Sequence, residues 1–171
     1  MGPNPTVGLD SSRDTPIPTA RAGVHAVTVA GNHVGAPPFR ELTPKECGEY
    51  LASATMGRVA WDTGGLVDIL PVSYAMHGHR VTFRTSPYGA LAHLRNPTNV
   101  AFQIDQVDPT MGTAWSVVVR GRAEAVVLQQ DLGDLWARPD IVAWAPGTRN
   151  LFISITPQAV TGRLVHAPFA T

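Results

Sequence analysis

The chain has 171 residues, with 13 lysines and arginines against 13 aspartates and glutamates. That length fits one domain with a real core, or one domain plus a tail, and the balanced charge argues against an electrostatic nucleic-acid binder or a polybasic membrane protein. Cys47 is the only cysteine, no run approaches the roughly 20 apolar residues of a membrane span, and the N-terminus lacks a basic-then-apolar signal, so a cytoplasmic protein is expected.

Residues 1–38 differ from the rest. Pro3, Pro5, Pro16, Pro18, Pro37 and Pro38 break any regular element, although Val24 to Ala30 could form a short strand. This stretch reads as a flexible arm, or as a segment lying on a partner subunit. The folded domain is expected over 39–165, with 166–171 as a C-terminal tail.

The domain opens on Leu42-Thr43-Pro44-Lys45-Glu46. Thr43 is a good N-cap, Pro44 suits the first helical position and Glu46 completes a capping box, so a helix to about Ala52 is predicted. Arg58 to Asp62 reads as a strand and Thr63-Gly64-Gly65 as a turn. Val67 to Met76 and Arg80 to Thr85 form a hairpin about His77-Gly78. A second helix is predicted over Pro87 to Leu94, capped by Ser86 and broken by Asn96-Pro97. Asn99 to Asp105 alternates cleanly, with Val100, Phe102 and Ile104 on one face. Ala114 to Leu128 is a long strand whose Gly121 marks a bulge or bend. A short helix near Gln130 to Ala137 follows, then a strand at Leu151 to Thr156, which Val160 to Val165 extends or follows.

About six strands and two or three short helices, joined by short connections, define an α+β fold with a small antiparallel barrel. Such a barrel fills its interior with side chains, so a ligand would lie outside it, in a groove or at a subunit interface.

The segment from Leu66 to Leu91 carries the strongest chemical signal. Val81 and Phe83 should face the core, leaving Thr82 and Arg84 outward. Arg84, Thr85 and Ser86 then meet at a helix start, where backbone N–H groups and the helix dipole favour an anion such as a phosphate. The plainer reading is that Ser86 caps and Arg84 pairs with a carboxylate. On the long strand, Trp115, Val117 and Val119 share one face, with Ser116, Val118, Arg120 and Arg122 on the other. Trp115 either lines an aromatic ligand site or packs in the core. His77 and His79 flank a turn, His93 lies on the second helix, and no cysteine or carboxylate joins the histidines at metal-ligand spacing. No G-x-S-x-G, Walker loop or G-x-G-x-x-G occurs, which disfavours hydrolase and Rossmann readings.

The run from Glu41 to Arg163 resembles the pyridoxamine 5′-phosphate oxidase-like family of flavin-binding split barrels. The matching segments are ELTPKEC, GRVAW, ILPVSYAMHGHRVTFRT, VAFQID, WSVVVRGRAE, WAPGTR and VTGR, in that order. The resemblance implies a six-stranded antiparallel split β-barrel, a homodimer, and FMN in two symmetric grooves between subunits. It implies a flavin-dependent oxidoreductase moving a hydride or electrons to or from a small-molecule substrate, with no catalytic acid or base assigned. Carried over, Asp68, Ile69, Leu70, Pro71 and Val72 would border the isoalloxazine ring. Arg84, Thr85 and Ser86 would hold the phosphate, with Leu91 beside them. Gln103 would reach the flavin, and Trp115, Ser116 and Arg122 would come from the other subunit. Many members have a lysine where this chain has Ala90, which removes one charge-assisted contact worth about 1.5–3 kcal/mol. That departure leaves F420 as an alternative cofactor. It also leaves a non-catalytic, stress-related ligand-binding protein as an alternative function.

Overall fold

The computed structural model describes residues 39–141 and 146–166. The expected arm, with Val24 to Ala30 inside it, and residues 167–171 of the tail lie outside the described residues.

The elements run β1 (Phe39–Glu41), α1 (Pro44–Ser53), β2 (Met56–Asp62), β3 (Val67–His77), β4 (Arg80–Thr85), a 3₁₀ helix (Ala90–Arg95), β5 (Thr98–Asp108), β6 (Thr113–Ala125), α2 (Gln129–Ala137) and β7 (Leu151–His166). Every strand pair is antiparallel. The sheet is seven-stranded in the order β1-β7-β4-β3-β2-β5-β6, and β7 also pairs with β6. That extra pairing joins the six longer strands into a ring, the split barrel expected from the sequence. The short β1 is an addition that borders β7 at Arg163 to Val165.

Local chemistry explains the entry to the barrel. Thr43 Oγ1 accepts from the Glu46 N–H, and the Glu46 carboxylate accepts from the Thr43 N–H at 2.8 Å, so the capping box is complete. Arg40 on β1 then grips the same carboxylate through two nitrogens, at 2.7 and 3.1 Å. Together these hydrogen bonds hold the Glu46 carboxyl down at about 2, the Arg40 contact contributing most.

Alternation places Val59, Val81, Phe83, Phe102, Val117, Val119, Ile153 and Ile155 fully inside the barrel. A second, smaller cluster of Ala75, Leu135, Ile141 and Phe152 lies on the outer side of β3, β4 and β7. Thr82 was expected to face outward; it does leave the barrel core, but the second cluster buries it. Its hydroxyl meets that of Ser154 at 3.1 Å. Among the described residues, no helix is long and apolar enough to cross a membrane.

Two expectations are corrected. The second helix does not begin at Pro87: residues 87–89 form a turn, and a six-residue 3₁₀ helix follows from Ala90. Ser86 therefore caps no helix; its hydroxyl accepts from the Tyr88 N–H at 3.2 Å, closing a local turn. Of the two readings left open for Val160 to Val165, the structure shows extension: Leu151–His166 is one strand, with Pro157 opposite the bulge at Arg120/Gly121 and the other edge of β7 unpaired between its β4 and β1 partners. The bulge itself falls where Gly121 indicated. A Cβ there would lie 2.3 Å from the Thr156 carbonyl oxygen, so only glycine permits that approach.

Candidate functional site

The barrel is open along one seam. β3 pairs with β2 from Val67 to Ser73, but with β4 only from Tyr74 to His77. The other edge of Val67 to Ser73 has no strand partner among the described residues. If the β3–β4 ladder continued past Tyr74↔Phe83, Ser73 would face Arg84 and Val72 would face Thr85. The ladder on the opposite edge of β4 does continue, pairing Arg84 with Phe152 and Thr85 with Leu151 on β7. A free strand edge presents unpaired N–H and C=O groups alternately, which suits the polar rim of a flat heteroaromatic ring. Leu66, Val67 and Ile69 are exposed beside it, providing apolar surface.

This geometry brings two sets of expected residues to one seam. Asp68, Ile69, Leu70, Pro71 and Val72 form the free edge, and Arg84, Thr85 and Ser86 form the facing lip. The Arg84 guanidinium carbon lies 4.2 Å from the Trp136 ring centroid, and its Nε donates to the Arg149 carbonyl. The two terminal nitrogens have no hydrogen-bond partner among the described residues. Arg84 thus pairs with an aromatic ring rather than a carboxylate. Thr85 and Leu91 are buried, so their side chains belong to the packing. The sequence argument for an anion at a helix start fails here, since the short 3₁₀ helix begins after Gly89. What remains at this lip is the guanidinium fork and the chain turning at Ser86.

The other expected residues lie elsewhere on the barrel. Gln103 is exposed on β5, joined to Pro71 through Arg58 in the cross-sheet register. Trp115 stacks on Tyr50, with centroids 4.2 Å apart, and packs against the main core. Its ring also borders a 310 Å³ cavity shared with Asp105, Ser116 and Arg163. Ser116 lies on the opposite, outer face of β6, and Arg122 is exposed beyond the bulge. Within this single chain, then, Gln103, Ser116 and Arg122 are not gathered around the seam.

Sequence reasoning missed Trp136, whose role depends on α2 folding back over β4 and β7. It also missed a 410 Å³ cavity on the outer face of β2, β5 and β6, lined by Asp62, Asn99, Arg120 and Gln158 around Ala60 and Ala101. Trp61 borders that cavity, and its buried indole N–H lacks a partner among the described residues.

A small antiparallel barrel with one parted seam, a free strand edge and an arginine fork at the lip defines the split-barrel class. The pyridoxamine 5′-phosphate oxidase family model matches residues 43–164, and the chain belongs to that family. An uncharacterized protein of Mycobacterium tuberculosis is 30% identical over 144 residues, spanning 77% of this chain and 88% of its own. The fold is similar to that of a candidate pyridoxamine 5′-phosphate oxidase from Corynebacterium glutamicum, with TM-score 0.70 and 28% identity over 80% of this chain and 99% of that one. It is also similar to an FAD-binding protein from Mycobacterium smegmatis, with TM-score 0.64 and 26% identity over 74% of this chain and 98% of that one.

Proposed function

We propose that the protein is a flavin-dependent oxidoreductase. In this reading it is a cytoplasmic homodimer that seats FMN at the β3–β4 seam and acts on a small molecule. The observation that carries the proposal is the seam itself, with a free backbone edge at Asp68 to Val72 facing the unsatisfied Arg84 fork. Those groups fit the two ends of the ligand: alternating donors and acceptors for a planar ring, and a fork for a phosphate. A bound flavin would supply hydride or electron transfer, while the chain binds and orients it. Gln103, Ser116 and Arg122 lie away from the seam within one chain, which suits a groove completed by a second copy. Backbone at Ser86 and Leu91, rather than their side chains, would line the phosphate end.

The family relationship supports a flavin, and the FAD-binding relative favours FAD as a second reading. FMN and FAD share the ring and first phosphate, so the same residues serve both. Purification followed by absorbance spectroscopy and chromatography of the released cofactor tests the proposal. A yellow protein releasing FMN is the expected result, and FAD selects the second reading. If the protein is colourless, and saturating FMN, FAD or F420 gives no thermal stabilisation, the cofactor reading is wrong.

A further inference from the structure

Trp115 sits where three elements meet. In the β1–β7–β6 ladder, Leu164 stands between Arg40 and Trp115, so these three side chains share one face of the sheet. Helix α1 lies against that face through Tyr50. The Tyr50 and Trp115 rings stack, with centroids 4.2 Å apart and planes at 29°, and both pack against the main core.

The helix that carries Tyr50 is itself fixed. Its start is closed by the Thr43–Glu46 capping box, and Arg40 reaches from β1 to the same Glu46 carboxylate. Tyr50 lies one turn beyond Glu46, on the same side of the helix. The ring is therefore held on a helix tied to the strand that borders Leu164. On its other side, Trp115 belongs to the wall of the 310 Å³ cavity that contains Asp105, Ser116 and Arg163. Tyr50 does not line that cavity; it stands behind the Trp115 wall. A stacking partner on one face restricts the rotamers open to an indole, and a wall ordered in advance loses less entropy when a ligand arrives.

We propose that Tyr50 is a positioning residue for the ligand groove: its ring fixes the orientation of Trp115 in the groove wall. The inference rests on the flavin reading above, in which a second copy completes the groove beside Ser116. It assigns Tyr50 no contact with the ligand, and it gives the role to the ring rather than to the hydroxyl.

The test titrates the full chain with FMN, following the quenching of flavin emission and the visible circular dichroism of the bound flavin. Tyr50→Leu is expected to weaken FMN binding about fivefold, the cost of ordering one large side chain on binding, and to change the dichroic band. Tyr50→Phe, which keeps the ring, should restore both. Tyr50→Met serves in place of the leucine variant if that chain does not fold. Cys47→Ala, a buried change on the same helix that leaves the stack in place, should lower the urea midpoint but keep the native affinity and spectrum. In a Trp115→Phe background, Tyr50→Leu should have a smaller effect than in the native chain, because the two residues act together. The proposal is overturned if the folded Tyr50 variants bind FMN as the native chain does, or if Tyr50→Phe fails to restore binding. It is equally overturned if Cys47→Ala weakens binding as much, or if the Tyr50→Leu loss is undiminished without Trp115. In each of those cases the native chain still binds FMN and the flavin reading stands. A native chain that binds neither FMN nor FAD overturns both.

Discussion

Arg84 lies over the ring of Trp136, 4.2 Å from guanidinium carbon to ring centroid, while its Nε is tied to the Arg149 carbonyl. The contact aims the guanidinium without neutralising it. A carboxylate in the same place would cancel the charge that an anionic ligand needs; an aromatic face leaves the fork open. Removal of the guanidinium should therefore cost far more than removal of the ring. Arg84→Ala is expected to weaken FMN binding at least tenfold. Trp136→Ala should weaken it only a few-fold, in keeping with about 0.5–1 kcal/mol for an exposed cation–π contact. Fluorescence titration of FMN gives both constants, and equal losses would show that the ring does more than orient the fork.

Acid stability should report on the β1–α1 junction. The Arg40 fork and the Thr43 N–H hold the Glu46 carboxyl at about 2, below its ordinary 4.5. A carboxyl depressed by folding stabilises fully above its unfolded value and loses that contribution as pH falls through its folded value. Glu46→Gln should therefore be less stable than the native chain at neutral pH, and the gap should close between about pH 4.5 and pH 2. Urea midpoints across that range measure it, and a gap independent of pH would refute the assignment.

The bulge predicts a strong glycine requirement. A methyl group at position 121 would meet backbone oxygen rather than a flexible side chain. Gly121→Ala is expected to destabilise the domain by about 1–3 kcal/mol, the usual range for overpacking. Gly133→Ala, on α2 with open space around it, should be neutral or stabilising. Chemical denaturation of the two variants compares them directly.

The hydroxyl pair under α2 gives a coupled prediction. Thr82 and Ser154 are both buried, and each satisfies the other. Thr82→Val leaves the serine hydroxyl unpaired and should cost about 1–3 kcal/mol. Adding Ser154→Ala should recover part of that loss, whereas strictly additive losses would mean the two hydroxyls do not cooperate.

Much of the barrel is legible in the sequence, for reasons visible at particular residues. Thr43, Pro44 and Glu46 encode the start of α1 through contacts within four residues, and the hairpin about Gly78 needs only a positive φ and flanking alternation. Gly121 announced its bulge because strand-interior glycine is costly without a reason. The misreadings share another cause. Ser86 and Pro87 carry good helix-start chemistry, but the strand end at Thr85 is pinned to β7, and the chain turns before it can wind. Whether Val160 to Val165 extends the preceding strand stayed open because tolerance of Pro157 depends on a bulge in a strand some thirty-six positions earlier.

The amino-acid sequence by itself determined most of the element order after β1, the inward faces of the strands and the family. All of these rest on local geometry or on motifs read along the chain. Tertiary structure alone decided that β3 and β4 part after Tyr74 and Phe83, that α2 brings Trp136 beneath Arg84, and that Tyr50 stacks on Trp115. Those facts arise from pairings between residues far apart in the chain, where packing and hydrogen-bond satisfaction, rather than local propensity, select the neighbour.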